Sequence, residues 1–448
     1  MKIYKIAWWL MVAALLAGCS GASAPSAPAP ATPADVYAFV TADSATPTAM
    51  PTGPAAAEAV SAAPNGGGVT QDEPAIADQP AVSGAASAPV APTAAATVAP
   101  TATAPATATA APSATITATP SRWSTDPHAL QIEVMRQQAY PGSPITIEQT
   151  LERGANYSRY VVSYLSDSYK VYALMTVPDG TKPATGWPAI VFNHGYIAPT
   201  VYRTTERYVA YVDAIARSGY IVFKSDYRGW GSSEGNHVIG GGYGTPELTV
   251  DVLNAVASLK AYADADPNRI GMWGHSLGGQ LTLRAMVVSQ DIKAGAIWGG
   301  VVPPYPDIIE RWDFMGRASA ARQRAQPAQG GNETVNWVRD FGGWAQDFRN
   351  KYGAPAQNPA FWATISPNSY LADLSGPIAL HHSTTDEMVP LAWSETLAEE
   401  LEAADDQPFE FYTYAGDNHN ISANFGIAMQ RTVDFFDRYA KGQSSATS

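Results

Sequence analysis

Gly274-His275-Ser276-Leu277-Gly278 decides the fold of this chain, because it stands between two kinds of secondary structure. Residues 269–273 before it predict a short buried strand, and residues 279–286 after it predict a helix. A serine flanked by glycines at a strand-to-helix turn is typical of a strained turn that lifts the hydroxyl out of a sheet. The pattern predicts that Ser276 is a nucleophile, and an ordinary glycine-rich turn is the alternative.

Short apolar runs alternate with helical segments along the rest of the domain. Strands are predicted at residues 187–193, 220–224, 294–298, 377–381 and 409–414, and helices at 204–218, 245–263, 391–403 and 424–439. Ahead of them, residues 160–164 and 170–175 alternate apolar and polar side chains around Asp167-Ser168, which predicts an antiparallel hairpin. The whole pattern predicts the α/β class, with a mostly parallel central sheet covered by helices on both faces.

The alternation breaks between about residues 303 and 367, where a long insertion is predicted. This stretch contains Trp312, Trp337, Trp344 and Trp362 among many polar residues, and it predicts a helical cap. Insertions of this length are usually functional, so the cap is a candidate lid. The alternative is that these tryptophans only build a small core of the cap's own.

Two further candidate catalytic side chains each follow a later predicted strand, so that nucleophile, acid and histidine come in this order along the chain. They are Asp386 and His419. His419 would take the proton of Ser276, and Asp386 would orient the imidazole and stabilise its charged form. Asp417 and Glu387 are alternatives for the acid, and Asp386 could instead cap the helix that follows it.

The developing oxyanion needs two preorganised hydrogen-bond donors. We expect the backbone N–H of Leu277, directly after the nucleophile, and that of Tyr196, in the loop that begins at His194-Gly195. A plain turn at His194-Gly195 is the alternative. Only His419, of the seven histidines, follows the last strand, and His275 is interpreted as a packing residue.

The N-terminal residues predict export and a membrane anchor. Lys2 and Lys5 precede an apolar run, residues 6–17, that is too short for a comfortable membrane span. Leu16-Ala17-Gly18-Cys19 resembles the bacterial lipoprotein box, in which the cysteine is lipidated and begins the mature chain. The sequence thus predicts a lipoprotein-type signal peptide, residues 1–19, and a membrane-anchored protein on the extracytoplasmic side. An ordinary cleaved signal is the alternative.

Composition divides the remainder into a tether and a folded domain. Residues 20–120 are rich in Ala, Pro and Thr and contain no Lys or Arg, which predicts a disordered tether. Residues 121–448 contain 25 basic and 34 acidic residues, a formal charge of −9, which argues against nucleic acid as a partner. No clustered cysteines or His-Glu-x-x-His motif is present, so we expect no metal and no cofactor.

Several motifs together resemble the catalytic domain of the prolyl oligopeptidase family of serine hydrolases. They are Asn193-His194-Gly195, Asp226-Tyr227-Arg228-Gly229, Asp266-Pro267-Asn268-Arg269-Ile270, the Ser276 turn, Asp386-Glu387-Met388-Val389-Pro390 and the His419 turn. The resemblance implies an α/β-hydrolase fold, with a helical cap insertion, and a Ser276–Asp386–His419 triad. Residues 121–159 leave too little chain for the β-propeller that precedes this domain in the family's large peptidases.

The resemblance predicts a serine hydrolase that cleaves ester or amide bonds of small ester or peptide substrates through an acyl-enzyme. One alternative is a carboxylesterase without peptidase activity, because the His and Leu beside Ser276 are typical of esterases and lipases. A second alternative is a catalytically inactive surface binding protein that has kept the fold.

Overall fold

The computed structural model describes Trp123 and residues 128–199, 201–236, 242–310 and 343–442. All of them belong to one compact unit, residues 108–448. The predicted signal with Cys19 and the predicted tether, residues 20–120, lie outside the described residues. The proposed domain division therefore stays a prediction.

The strands of the described chain form one sheet in the order β1-β2-β3-β5-β4-β6-β7-β8-β9. Their bounds are β1 (Thr146–Thr150), β2 (Tyr157–Ser166), β3 (Tyr169–Pro178), β4 (Trp187–Asn193), β5 (Ile221–Ser225), β6 (Ala265–His275), β7 (Gly295–Trp298), β8 (Ile378–Ser383) and β9 (Phe409–Tyr414). From β5 to β9 in this sheet order, which includes β4, neighbouring strands pair in parallel. Strands β1, β2 and β3 add an antiparallel extension at one end. The predicted hairpin and the mostly parallel sheet are confirmed.

The helices are α1 (Ile132–Arg136), α2 (Val209–Arg217), α3 (Glu247–Lys260), α4 (Leu277–Val288), α5 (Pro359–Ile365), α6 (Leu391–Ala404) and α7 (Phe425–Tyr439), with a 3₁₀ helix at Pro367–Asp373. Residues 305–310 and 343–352 are also helical. Within the described ranges, no helix combines the length and the apolar character needed to cross a bilayer.

Two apolar layers pack on opposite faces of the sheet. Successive residues of a strand point to opposite faces, so Val191 joins one layer and Phe192 joins the other. Helices α1, α3, α4 and α6 cover the first layer, whereas α2 and α7 cover the second. Burying each large apolar side chain in these layers stabilises the fold by about 1.5–3 kcal/mol. The helices therefore lie on both faces, as predicted.

One predicted helix begins later than its periodicity indicates. Helix α2 starts at Val209 and not at residue 204. Arg207 and Tyr208 have left-handed backbone conformations, with φ values of 55° and 54°, which are incompatible with a right-handed helix. Residues 204–208 form an irregular turn instead.

The described residues of the predicted cap pack into the main apolar layer. Trp344, Phe348 and Trp362 belong to the same buried cluster as the strand residues, and the ring centroids of Phe348 and Trp362 are 5.9 Å apart. These side chains do not form a separate core. Trp312 and Trp337 lie outside the described residues, so the role of the cap as a lid stays a prediction.

Candidate active site

Ser276 occupies a sharp turn between the end of β6 and the start of α4. Its backbone has φ 55° and ψ −117°, a conformation that costs a non-glycine residue about 1–3 kcal/mol. Surrounding hydrogen bonds hold it in place. Its N–H donates to the carbonyl of Trp298 at 3.0 Å, and its carbonyl accepts from the N–H groups of Gly279 and Val301, each at 3.0 Å.

The flanking glycines permit this turn by close packing. A Cβ at Gly274 would lie 2.2 Å from the carbonyl oxygen of Gly278, and a Cβ at Gly278 would lie 1.9 Å from that of Asn193. Neither position has room for a side chain, since the strand and the helix touch through their backbones. This is the geometry that the glycine spacing predicted.

Asp386 and His419 meet at the carboxyl ends of β8 and β9. The Nδ1 of His419 lies 2.8 Å from Oδ2 of Asp386, whose side chain is fully buried. The other carboxylate oxygen accepts the backbone N–H groups of Met388 and Val389, each at 2.8 Å. These contacts fix the carboxylate and direct it at the imidazole.

The electrostatics of Asp386 favour its charged form. Burial alone would raise the pKa of this carboxyl, but hydrogen bonds from His382 and His419, together with the charge of His419, hold the pKa well below its ordinary value. The carboxylate therefore stays ionised at neutral pH and accepts the Nδ1 proton of His419. The Nε2 atom of His419 is then left with a lone pair and can act as a base.

His382 makes a second contact with the same carboxylate. Its Nε2 is 3.3 Å from Oδ2 of Asp386 and 3.0 Å from the carbonyl of Val389, so Nε2 faces two acceptors and bears the proton. Its Nδ1 is 2.7 Å from the hydroxyl of Ser394, which must then donate. The sequence analysis gave His382 no role, although its position four residues before Asp386 at the end of a strand was a usable signal.

The alternative acids contact the backbone of the histidine turn. Asp417 accepts three backbone N–H groups of residues 418–424 at 2.8–3.1 Å. Glu387 accepts the backbone N–H of His419 at 3.0 Å. Among the described carboxylates, Asp386 is the one that the structure places against the imidazole of His419.

The predicted oxyanion loop passes beside the nucleophile. A Cβ at Gly195 would lie 3.2 Å from the Cβ of Ser276, so the backbone that leads into Tyr196 is adjacent to the reacting hydroxyl. Leu277 is the first residue of α4, where backbone N–H groups point out of the helix end. Both predicted donors thus lie on segments next to Ser276, and their role stays a prediction.

His275 is buried between the oxyanion loop and the base. Burial and the charge of His419 lower the pKa of His275 to about 3, so its imidazole is neutral. Its ring centroid is 4.5 Å from that of His419. Its Nδ1 is 2.8 Å from the hydroxyl of Tyr208, and its Nε2 is 3.1 Å from the carbonyl of His419. A neutral, fully engaged ring fits a structural role.

Two family models match this chain. The one described as the prolyl oligopeptidase family matches residues 330–443, and the one described as serine aminopeptidase, S33, matches residues 188–320. Ser276 lies in the second match, and Asp386 and His419 lie in the first. The two matches support the serine hydrolase class.

The chain is also similar in sequence to curated proteins of known class, at low identity. The chain is 24% identical over 300 residues to the probable dipeptidyl-aminopeptidase B of Aspergillus terreus. This alignment covers 62% of this chain and 28% of that protein. The chain is also 33% identical over 95 residues to the lysophosphatidylserine lipase of Xenopus tropicalis, in an alignment that covers 21% of this chain and 22% of that protein. The chain thus spans less than a third of the length of these curated relatives.

A solved structure has the same fold. The acetyl xylan esterase from a Paenibacillus species aligns with a TM-score of 0.50 and 16% identity, covering 69% of this chain and 92% of that one. The likeness and the sheet topology confirm the predicted α/β-hydrolase fold. At this identity the likeness concerns the fold alone.

Proposed function

We propose that this protein is a serine hydrolase of the prolyl oligopeptidase type, which cleaves ester or amide bonds of small substrates through an acyl-enzyme. The observation that carries the proposal is the 2.8 Å contact between the buried carboxylate of Asp386 and the imidazole of His419, beside the strained turn of Ser276. The matches to the prolyl oligopeptidase and serine aminopeptidase families support it.

In the proposed mechanism, these residues carry out each step of an acyl transfer. The hydroxyl of Ser276 attacks the substrate carbonyl carbon while Nε2 of His419 takes its proton. Asp386 stabilises the resulting imidazolium, and the N–H groups of Leu277 and Tyr196 stabilise the oxyanion of the tetrahedral intermediate. His419 then protonates the leaving alcohol or amine, which departs. A water molecule then attacks the acyl-enzyme by the same steps, with His419 as the base, and releases the acid.

Two features bear on the leaving group. The relatives over most of the domain are named as dipeptidyl-aminopeptidases, which supports amide cleavage. The shorter match is named as a lipase, and the His and Leu beside Ser276 are typical of esterases. We propose cleavage of both bond types, with a carboxylesterase as the second candidate.

A matched pair of substrates tests this proposal. With one acyl group presented as its p-nitrophenyl ester and as its p-nitroanilide, we expect turnover of both, the ester being faster because its leaving group is better. Absorbance at the nitrophenol and nitroaniline bands measures both rates. Cleavage of the ester alone would support the carboxylesterase. If neither substrate is turned over and a fluorophosphonate does not label Ser276, the result would support the alternative of an inactive binding protein.

We also propose that the protein is exported and anchored by a lipid on Cys19. The proposal rests on the sequence alone, on the basic start, the short apolar run and the Leu16-Ala17-Gly18-Cys19 box. One short acyl chain binds a membrane only marginally, so stable anchoring takes more than one chain. A diacylglyceryl group on the cysteine, as the lipoprotein resemblance implies, meets this requirement.

Replacing the anchor residue tests the localisation. Cys19→Ser should move the protein from the membrane fraction to the soluble fraction, or block its processing, and leave the ester turnover per molecule unchanged. Ser20→Ala serves as a neighbouring control that keeps the thiol. Fractionation and mass spectrometry of the mature N-terminus measure the outcome. A wild-type protein that is soluble and begins beyond Cys19 would contradict the anchor.

A further inference from the structure

A continuous row of hydrogen bonds connects the oxyanion loop to the base loop. The N–H of Gly195 donates to the hydroxyl of Tyr208 at 2.9 Å, and this hydroxyl lies 2.8 Å from Nδ1 of His275. The Nε2 of His275 lies 3.1 Å from the carbonyl of His419. We call these four residues the relay. It runs alongside Ser276 and joins three segments that are far apart in sequence.

Chemistry permits a single direction for every bond of the relay. A carbonyl can only accept, so Nε2 of His275 must donate to His419. The neutral ring then has a lone pair on Nδ1, which must accept the proton of the Tyr208 hydroxyl. Burial keeps the pKa of Tyr208 above its ordinary value, so this proton is present. The oxygen of Tyr208 is left to accept the N–H of Gly195.

The backbone around Tyr208 is strained and specifically held. Arg207 and Tyr208 are both left-handed, an arrangement that persists only where surrounding contacts enforce it. The fully buried Nζ of Lys224 donates to the carbonyls of Glu206 at 2.9 Å and Arg207 at 3.2 Å. These two bonds tie the backbone directly before Tyr208 to β5, and the side chain of Tyr208 reaches Gly195 from this turn.

The ring of Tyr208 is fixed as well. It packs edge-on against Phe192 at 5.5 Å, Tyr211 at 5.4 Å and Trp273 at 6.1 Å between ring centroids. Its hydroxyl would be 2.8 Å from a Cβ at Gly195, so the oxyanion loop lies directly against it. The loop is thereby confined between Tyr208 and Ser276.

We propose that Tyr208 is a positioning residue that sets the oxyanion loop relative to the nucleophile and the base. The inference rests on the acyl-transfer function proposed above. The next backbone N–H after the one that Tyr208 holds belongs to Tyr196, the proposed oxyanion donor. Preorganised donors stabilise a transition state only when they are already aimed at the developing charge, and a displacement of about 1 Å can lower the rate about 100-fold.

The variant Tyr208→Phe keeps the ring and removes both hydrogen bonds of the hydroxyl. We expect kcat to fall about 10- to 100-fold with KM little changed, because the donor is displaced and not lost. The affinity for an alkyl boronic acid, which forms a tetrahedral adduct on serine, should fall by a similar factor. If Tyr208 had a purely structural role, its loss would not lower the affinity for the boronic acid while leaving KM unchanged.

Tyr220→Phe is the matched control. Its hydroxyl is also hydrogen-bonded, to Asp437 at 2.7 Å, and its ring is fully buried in the layer that α2 and α7 cover. We expect this variant to keep the wild-type kcat and boronic acid affinity. Thermal unfolding of both variants shows whether they lose comparable stability.

The ¹⁵N chemical shift of His275 gives a readout that needs no turnover. We expect the Nδ1 resonance to move to higher frequency in Tyr208→Phe, because that atom loses a donor. An unchanged resonance, or wild-type kcat and boronic acid affinity in Tyr208→Phe, would overturn the proposal. Fluorophosphonate labelling of Ser276 in the wild-type protein separates such a failure from a failure of the proposed function.

Discussion

Ser276→Ala should lower the turnover of an ester substrate by at least about 1,000-fold. The nucleophile, base and acid act as a unit, so removing the hydroxyl leaves only the donors of the oxyanion hole and substrate binding. Steady-state rates of p-nitrophenyl ester cleavage measure the loss. Intact-protein mass spectrometry should show that a fluorophosphonate adds to the wild-type protein and not to the variant.

The fold should survive this substitution. Alanine and serine bear the same strain at φ 55°, and the backbone bonds to Trp298, Gly279 and Val301 do not involve the side chain. We therefore expect the free energy of unfolding to change by less than about 1 kcal/mol. Ser289→Ala, at the far end of α4, is the control and should keep full activity. A folded Ser276→Ala protein with near wild-type turnover would exclude the mechanism.

The sequence could bring the candidate residues together because their positions follow local rules. In a parallel sheet the carboxyl ends of the strands meet at one edge, so side chains that follow β6, β8 and β9 come together there. Periodicity located those strands, and glycine spacing identified the turn at Ser276. The pairing of Asp386 with His419 then follows from their places after neighbouring strands.

The relay could not be predicted in this way, because it depends on contacts between residues far apart in sequence. The periodicity of residues 204–208 favours a helix, but the capture of two carbonyls by Lys224, on a later strand, outweighs that preference. Likewise, the contact of His275 with His419 joins residues 144 positions apart. A pattern within a short window contains no information about such partners.

Asp386→Asn should reduce turnover by about 10³- to 10⁴-fold, through the tautomer of His419. The asparagine oxygen can still accept the N–H groups that Oδ1 accepts now, and its amide would then face the Nδ1 of His419. An amide donor there forces Nδ1 to accept and places the proton on Nε2, where the base needs a lone pair. The kcat for the ester, measured on folded protein, reports this loss.

Asp417→Asn provides the comparison that assigns the acid. Asp417 holds the turn of residues 418–424 through backbone N–H groups, and an asparagine oxygen can keep part of these bonds. We expect a stability loss of about 1–3 kcal/mol, because a buried donor is left unsatisfied, and a fall in kcat far smaller than that of Asp386→Asn. The imidazole of His419 keeps its partner in this variant, so its tautomer is unchanged. If folded Asp417→Asn lost more turnover than Asp386→Asn, the carboxylate that orients the base would be Asp417.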